Sequence, residues 1–171
     1  MRFMLSLTIL ILTPAISLAQ TPSTDGPPGF VLWNSESIES TADRLEQELG
    51  DKHMVYQTIG NYDGHSMYLV LRGKTGTSEF HETESDFYVS LRGHATFVIG
   101  GELTEQEIRP RKQQRGKSIH GGTTHSLGPG DVLHVPVATP HHIIIDPDEP
   151  YMYLLIKLDE EPIVAVEASE S

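Results

Sequence analysis

Gly73-Lys74-Thr75-Gly76-Thr77-Ser78-Glu79-Phe80-His81-Glu82-Thr83-Glu84-Ser85-Asp86-Phe87-Tyr88-Val89-Ser90-Leu91-Arg92-Gly93 is the stretch on which the reading of this chain turns. A second stretch answers it downstream, Gly130-Asp131-Val132-Leu133-His134-Val135-Pro136-Val137-Ala138-Thr139-Pro140-His141. Each sets a histidine among strand-forming residues and is bounded by glycine or proline. In a strand alternate side chains share a face, so Glu79 and His81 point one way and Phe80 the other. Past a turn at Glu82-Thr83-Glu84-Ser85 the chain re-enters a strand, and Asp86 can return its carboxylate towards His81. Pro140 stiffens the backbone ahead of His141, and Gly130-Asp131 supplies the turn before it. If the two stretches become neighbouring strands, His81, Asp86 and His141 converge with Glu79 close by. Such a donor set describes a site for a divalent transition metal.

Outward from these stretches the pattern stays short and β-like. Runs at Met54 to Ile59, Ser66 to Leu71, Ser78 to His81, Phe87 to Leu91 and Ala95 to Ile99 are separated by Gly, Pro, Asp and Asn. Val132 to Val135, His141 to Ile145 and Met152 to Leu158 continue the series, which predicts an all-β barrel or sandwich. Ahead of it, Ile38, Ala42, Leu45 and Leu49 recur at helical spacing, with Asn34 or Ser35 to cap the start and Gly50 to end it. Leu103 to Lys117 is polar, charged and aperiodic, and reads as a long loop.

The two stretches resemble the paired motifs of the cupin superfamily, small jelly-roll β-barrels. The first is matched at Gly73, His81 and Gly93, with Glu79 where the family carries its first histidine and Asp86 where it carries glutamate. The second is matched at Gly130, Pro136 and His141, with Ala138 in place of glycine and Ile145 in place of asparagine. The resemblance spans residues 54 to 158. It implies a cupin-type barrel with one N-terminal amphipathic helix and a metal held by His81, Asp86, His141 and Glu79. The anionic donor set favours Mn, Fe(II) or Zn, and if Glu79 does not ligate it becomes the candidate general base. The implied function is a metal-dependent dioxygenase, isomerase or lyase acting on a small polar molecule. The alternative is a cupin that binds a small ligand or serves structurally without turnover.

Taken singly these residues allow plainer roles. Either histidine can be a hydrogen-bonded core residue, Asp86 can cap a turn, and Glu79 can pair with Arg72 or Arg92. Together they point to a cation, since His, His, Asp and Glu in one lumen bury negative charge that needs compensation. His142 has opposite parity to His141 and should face away from the lumen, as should His134. His53, His65, His94, His120 and His125 read as loop or surface residues. Tyr88 shares the face of Asp86 and is expected chiefly to fill the core.

The ends and the composition bound the rest. Met1-Arg2 precedes a short apolar run that closes at Ser17-Leu18-Ala19, which reads as a signal peptide over residues 1–19 and implies an exported protein, periplasmic or secreted, with no membrane anchor after cleavage. Residues 20–29 read as a flexible leader, 30–166 as one barrel domain and 167–171 as a disordered tail. There are no cysteines, so neither disulfides nor thiolate ligands are available. With 24 acidic against 12 basic residues, and no aromatics interleaved with the Arg109–Lys117 basic cluster, nucleic acid is an unsuitable partner. Outward apolar residues Phe80, Phe87, Val89 and Ile144 lead to the expectation of a homodimer.

Overall fold

Asn34 begins the helix α1 (Ser35–Leu49) by accepting the Ser37 amide on its side-chain oxygen at 2.8 Å, satisfying one of the donors a helix start leaves open. Gly50 ends it at a positive φ of 45°, which suits a residue without Cβ. The computed structural model describes residues 22–161, so the signal peptide expected at 1–19 and the tail expected at 167–171 lie outside the described residues. The leader shows one local tie, a bridge between Ser23 and Leu32. Among the described residues no helix is long and apolar enough to cross a membrane.

Thirteen strands follow the helix: β1 (Met54–Tyr62), β2 (His65–Arg72), β3 (Ser78–His81), β4 (Glu84–Arg92), β5 (Ala95–Ile99), β6 (Glu102–Thr104), β7 (Glu107–Arg109), β8 (Gln113–Gly116), β9 (Ser118–His120), β10 (Thr123–Leu127), β11 (Val132–Val135), β12 (His141–Ile144) and β13 (Tyr151–Asp159). All pairings are antiparallel. One sheet runs β1-β2-β13-β4-β11, a second runs β10-β5-β12-β3-β8-β7, and β6 pairs with β9. The order is that of a jelly roll, in which neighbours in a sheet come from distant parts of the chain.

Side-chain parity builds the core. Val70, Tyr88, Tyr151 and Tyr153 of the first sheet pack with Phe97 and Ile143 of the second, so the apolar interior lies between the sheets. The alternate residues Leu69, Leu71 and Met152 turn outward and are covered by Ala42, Leu45 and Leu49 of α1. That is why β2 and β13 read as nearly continuous apolar runs: both of their faces are buried. Leu45 is fully buried, a contribution of about 2 kcal/mol.

Residues 103–117 are a correction to the expected long loop. They form β6, β7 and β8, and β8 hydrogen-bonds along β3 with His81 opposite Gln113 and Glu79 opposite Arg115. Two causes hide them in the sequence. The inner face of β8 is polar, so no apolar alternation appears. The turns use Glu105, Arg111 and Lys112 at positive φ in place of glycine, so the usual turn signals are missing.

Candidate metal centre

The donors come from three strands of two sheets. Glu79 and His81 share the inner face of β3, and β12 lies beside it with His141 opposite Glu79. Asp86 reaches across from β4, where its partner on β13 is Lys157. The two sequence motifs are tied directly at the backbone: the Ala138 amide donates to the His81 carbonyl at 2.7 Å. His81, Asp86 and His141 are 2%, 1% and 1% exposed.

The imidazole rings of His81 and His141 stand 5.2 Å apart, centre to centre. One ligand atom each from Glu79, His81 and His141 fits within 4.8 Å of the others, so this triad could hold a metal ion. Asp86 Oδ2 lies 3.4 Å from His81 Nε2 and 3.6 Å from His141 Nε2, close to the ~3.4 Å that separates two ligands of a tetrahedral ion with bonds of about 2.1 Å.

Hydrogen bonds on the far side of each ring decide which nitrogen is available. His141 Nδ1 donates to the Thr139 carbonyl at 3.0 Å, leaving the Nε2 lone pair facing inward. His81 Nδ1 donates to the side-chain oxygen of Gln113, whose amide nitrogen is committed to Glu84 at 2.8 Å. Such outer partners fix tautomer and ring orientation in metal-binding histidines. His141 Nε2 is buried and has no hydrogen-bond partner among the described residues. Its lone pair faces a carboxylate oxygen, an arrangement that calls for a cation between them.

Three side-chain cations surround the carboxylates. Arg72 reaches Glu79 at 3.3 Å and Arg115 reaches it at 3.5 Å. Lys157 Nζ lies 2.6 Å from Asp86 Oδ1, 3.3 Å from Glu84 and 3.2 Å from His81 Nε2. Burial alone would raise the pKa of Glu79 and Asp86, but the adjacent imidazoles and the nearby cations prevail and hold both well below the usual carboxylate range. For His81 burial works downward, and the adjacent Asp86 and Glu79 carboxylates outweigh it and raise the pKa above 6.5. Lys157 is raised as well, Asp86 and Glu84 overcoming its burial. The expectation of uncompensated negative charge is therefore corrected: Glu79, Glu84 and Asp86 are matched by Arg72, Arg115 and Lys157.

The jelly-roll order places both glycine-bounded motifs at one lumen, with a histidine from each facing the other. The fold is cupin-like. No protein-family model matches the chain, and no curated protein matches it. Among solved structures it is similar to a cupin superfamily protein from Desulfitobacterium hafniense, at 17% identity over 63% of this chain and 78% of that one, TM-score 0.45. It is also similar to the DMSP lyase of Ruegeria pomeroyi, at 20% identity over 70% of this chain and 55% of that one, TM-score 0.45, and to KdgF from a Halomonas species, at 13% identity over 64% and 82%, TM-score 0.45.

In this cupin-like lumen the four residues expected at the site lie together. The pairing of Glu79 with Arg72 is present, whereas Arg92 binds Glu39, Asp43 and Glu46 of α1. Tyr88 fills the core and also donates to Asp86 Oδ2 at 3.0 Å. His142 faces away from the lumen and donates to the Gly76 carbonyl at 2.8 Å. His134 lies outside, stacked on Phe87, and His120 and His125 are exposed. Sequence reasoning missed Lys157, Gln113, Arg115 and Glu84. Lys157 had a signal: it is the one charge within Met152 to Leu158, at the parity of Tyr151 and Tyr153, which marks an inward cation. Gln113 and Arg115 had none, because the strand that carries them was not legible.

Proposed function

We propose that the chain is a metal-dependent cupin enzyme acting on a small polar, oxygen-containing molecule, with a divalent Mn, Fe(II) or Zn held by His81, His141, Glu79 and Asp86. The observation that carries this reading is the inward Nε2 lone pair of His141, buried, without a hydrogen-bond partner and aimed at Asp86 Oδ2. When bound, such an ion supplies Lewis-acid polarisation of a substrate oxygen. The chain's own residues set the frame. Gln113 and Thr139 hold the rings in their ligating tautomer, Tyr88 and Lys157 fix the Asp86 carboxylate, and Arg72 anchors Glu79. Glu79 is the fourth ligand or, where it stays off the ion, the general base beside it. The reaction is of isomerase, lyase or dioxygenase type, in a protein proposed to be exported and to pair as a homodimer.

One observation favours the second reading, a cupin that binds without turnover: the lumen charges already cancel among side chains. Metal analysis of protein purified without chelators, with His81→Ala and His141→Ala alongside, tests the first. Near-stoichiometric metal in the parent and at least a tenfold loss of affinity in both variants is expected. A parent that takes up no divalent ion, or variants that bind as well as the parent, overturns it. Metal at full occupancy with no turnover in hydrolytic, isomerase and oxygen-dependent assays supports the binding reading.

A further inference from the structure

The balance of charge around the lumen bears on what the loaded centre accepts. Glu79, Glu84 and Asp86 contribute three negative charges, and Arg72, Arg115 and Lys157 contribute three positive ones within salt-bridge reach of them. With both imidazoles neutral, as ligation requires, the cluster is balanced before any ion arrives. A divalent cation then leaves two positive charges without counterpart in a site whose histidines and aspartate are almost entirely buried. Uncompensated charge in such surroundings is costly. The carboxylates around the lumen are already engaged, so the compensating charge has to come with the ligand.

Lys157 indicates how that ligand would be held. Its ammonium donates to Asp86 Oδ1 at 2.6 Å and to the His81 Nε2 lone pair at 3.2 Å, and pairs by charge with Glu84 Oε2 at 3.3 Å. A nitrogen lone pair that binds a metal no longer accepts a hydrogen bond. Occupation of His81 Nε2 therefore releases one Lys157 N–H beside the ion, while Asp86 and Glu84 still hold the ammonium in place. Arg115, 28% exposed in its side chain, offers a further cation at the partly open side of Glu79.

Resting on the metal-centre reading above, we propose that the loaded site takes an anionic, carboxylate-bearing small molecule, whose oxygen lies on the ion and accepts the hydrogen bond released by Lys157. Neutral polyols and amides of the same shape bind far more weakly, because they leave the added charge uncompensated. Lys157 is in this view a specificity-determining residue: it selects an acid over its neutral analogue at the loaded centre.

The test uses the full-length protein loaded with Co(II), followed by its visible absorption, and two probes of matched shape, succinate and its neutral isostere succinamide. Metal content after dialysis against each probe separates ligand binding from stripping of the ion. The expected result is saturable perturbation of the cobalt spectrum by succinate at least tenfold tighter than by succinamide. In Lys157→Met, compared with the parent at equal cobalt loading, the succinate preference falls by tenfold or more. Lys157→Gln, which retains a hydrogen-bond donor, recovers part of the binding and serves as well where the Met variant does not fold. Failure of the parent to take up cobalt overturns the metal-centre reading itself. Cobalt uptake with succinate and succinamide bound alike overturns the present inference and leaves that reading standing. An undiminished succinate preference in both Lys157 variants removes the lysine from the proposal.

Discussion

At the scale of single residues the centre is a set of mutually dependent charges. Asp86 is 1% exposed and meets the ammonium of Lys157 at 2.6 Å. Removing its charge leaves that ammonium facing only Glu84 and a ring. Asp86→Asn is accordingly expected to destabilise the metal-free protein by about 3 kcal/mol, the usual cost of breaking a buried pair, read as a lower urea midpoint. The pH dependence follows from the direction of the shifts. Glu79 and Asp86 have folded pKa values below their unfolded ones, so their stabilisation is complete above the ordinary carboxylate range and disappears as pH falls through it. The metal-free protein should lose stability progressively below about pH 5, and Asp86→Asn should flatten that slope. A urea midpoint that stays constant from pH 6 to pH 3 would contradict this. The sequence exposed the donors at this scale because period-two parity and two bounded motifs fix which way each points. The compensating cations stayed hidden, since nothing local ties Lys157 to Asp86 across 71 positions.

At the scale of the element, turns decide how closely the motifs approach. Gly93 has φ 71°, and a Cβ there would run into the Pro150 carbonyl, so β4 can end beside the start of β13 only with glycine at this position. Gly93→Ala is expected to cost about 2 kcal/mol or more, measured by chemical denaturation. Ala138 presents the opposite case. It stands where the motif has glycine and holds φ 53°, while its amide secures the His81 carbonyl. Ala138→Gly relieves that conformation and should stabilise by roughly 0.5–1 kcal/mol, with metal affinity unchanged. A loss of stability would show that the methyl group has a packing role. Residues 103–117 mark where reading by element failed: strands with polar faces, joined by non-glycine residues at positive φ, carry neither of the two signals that distinguish strand from loop.

At the scale of the whole molecule, the interior between the sheets is built around buried phenols. Burial, the main cause in each case, raises the pKa of Tyr88, Tyr151 and Tyr153, and that of Tyr153 to about 12. Groups with a folded pKa above the unfolded value of about 10 stabilise fully below pH 10. That stabilisation is lost as pH rises towards the folded values. Ultraviolet titration should therefore show three of the six tyrosines ionising late and together with unfolding. Six independent transitions near pH 10 would contradict it. The fold class was legible at this scale because the apolar runs are short and regularly interrupted. The order of strands was carried only by the motif resemblance, since antiparallel pairing between remote segments leaves no mark in either segment alone.

The place of β13 in its sheet, between β2 and β4, has a consequence for how the chain comes into being. During synthesis from the N-terminus, every other strand of that sheet has left the ribosome before the one that joins its two halves. Until about residue 159 emerges, β2 and β4 each present an unzipped border to the surroundings, and the Asp86 carboxylate waits for the lysine that will neutralise it. Closure of this sheet therefore awaits β13, and a helper that shields open β borders would find its substrate in the nascent chain until that strand emerges.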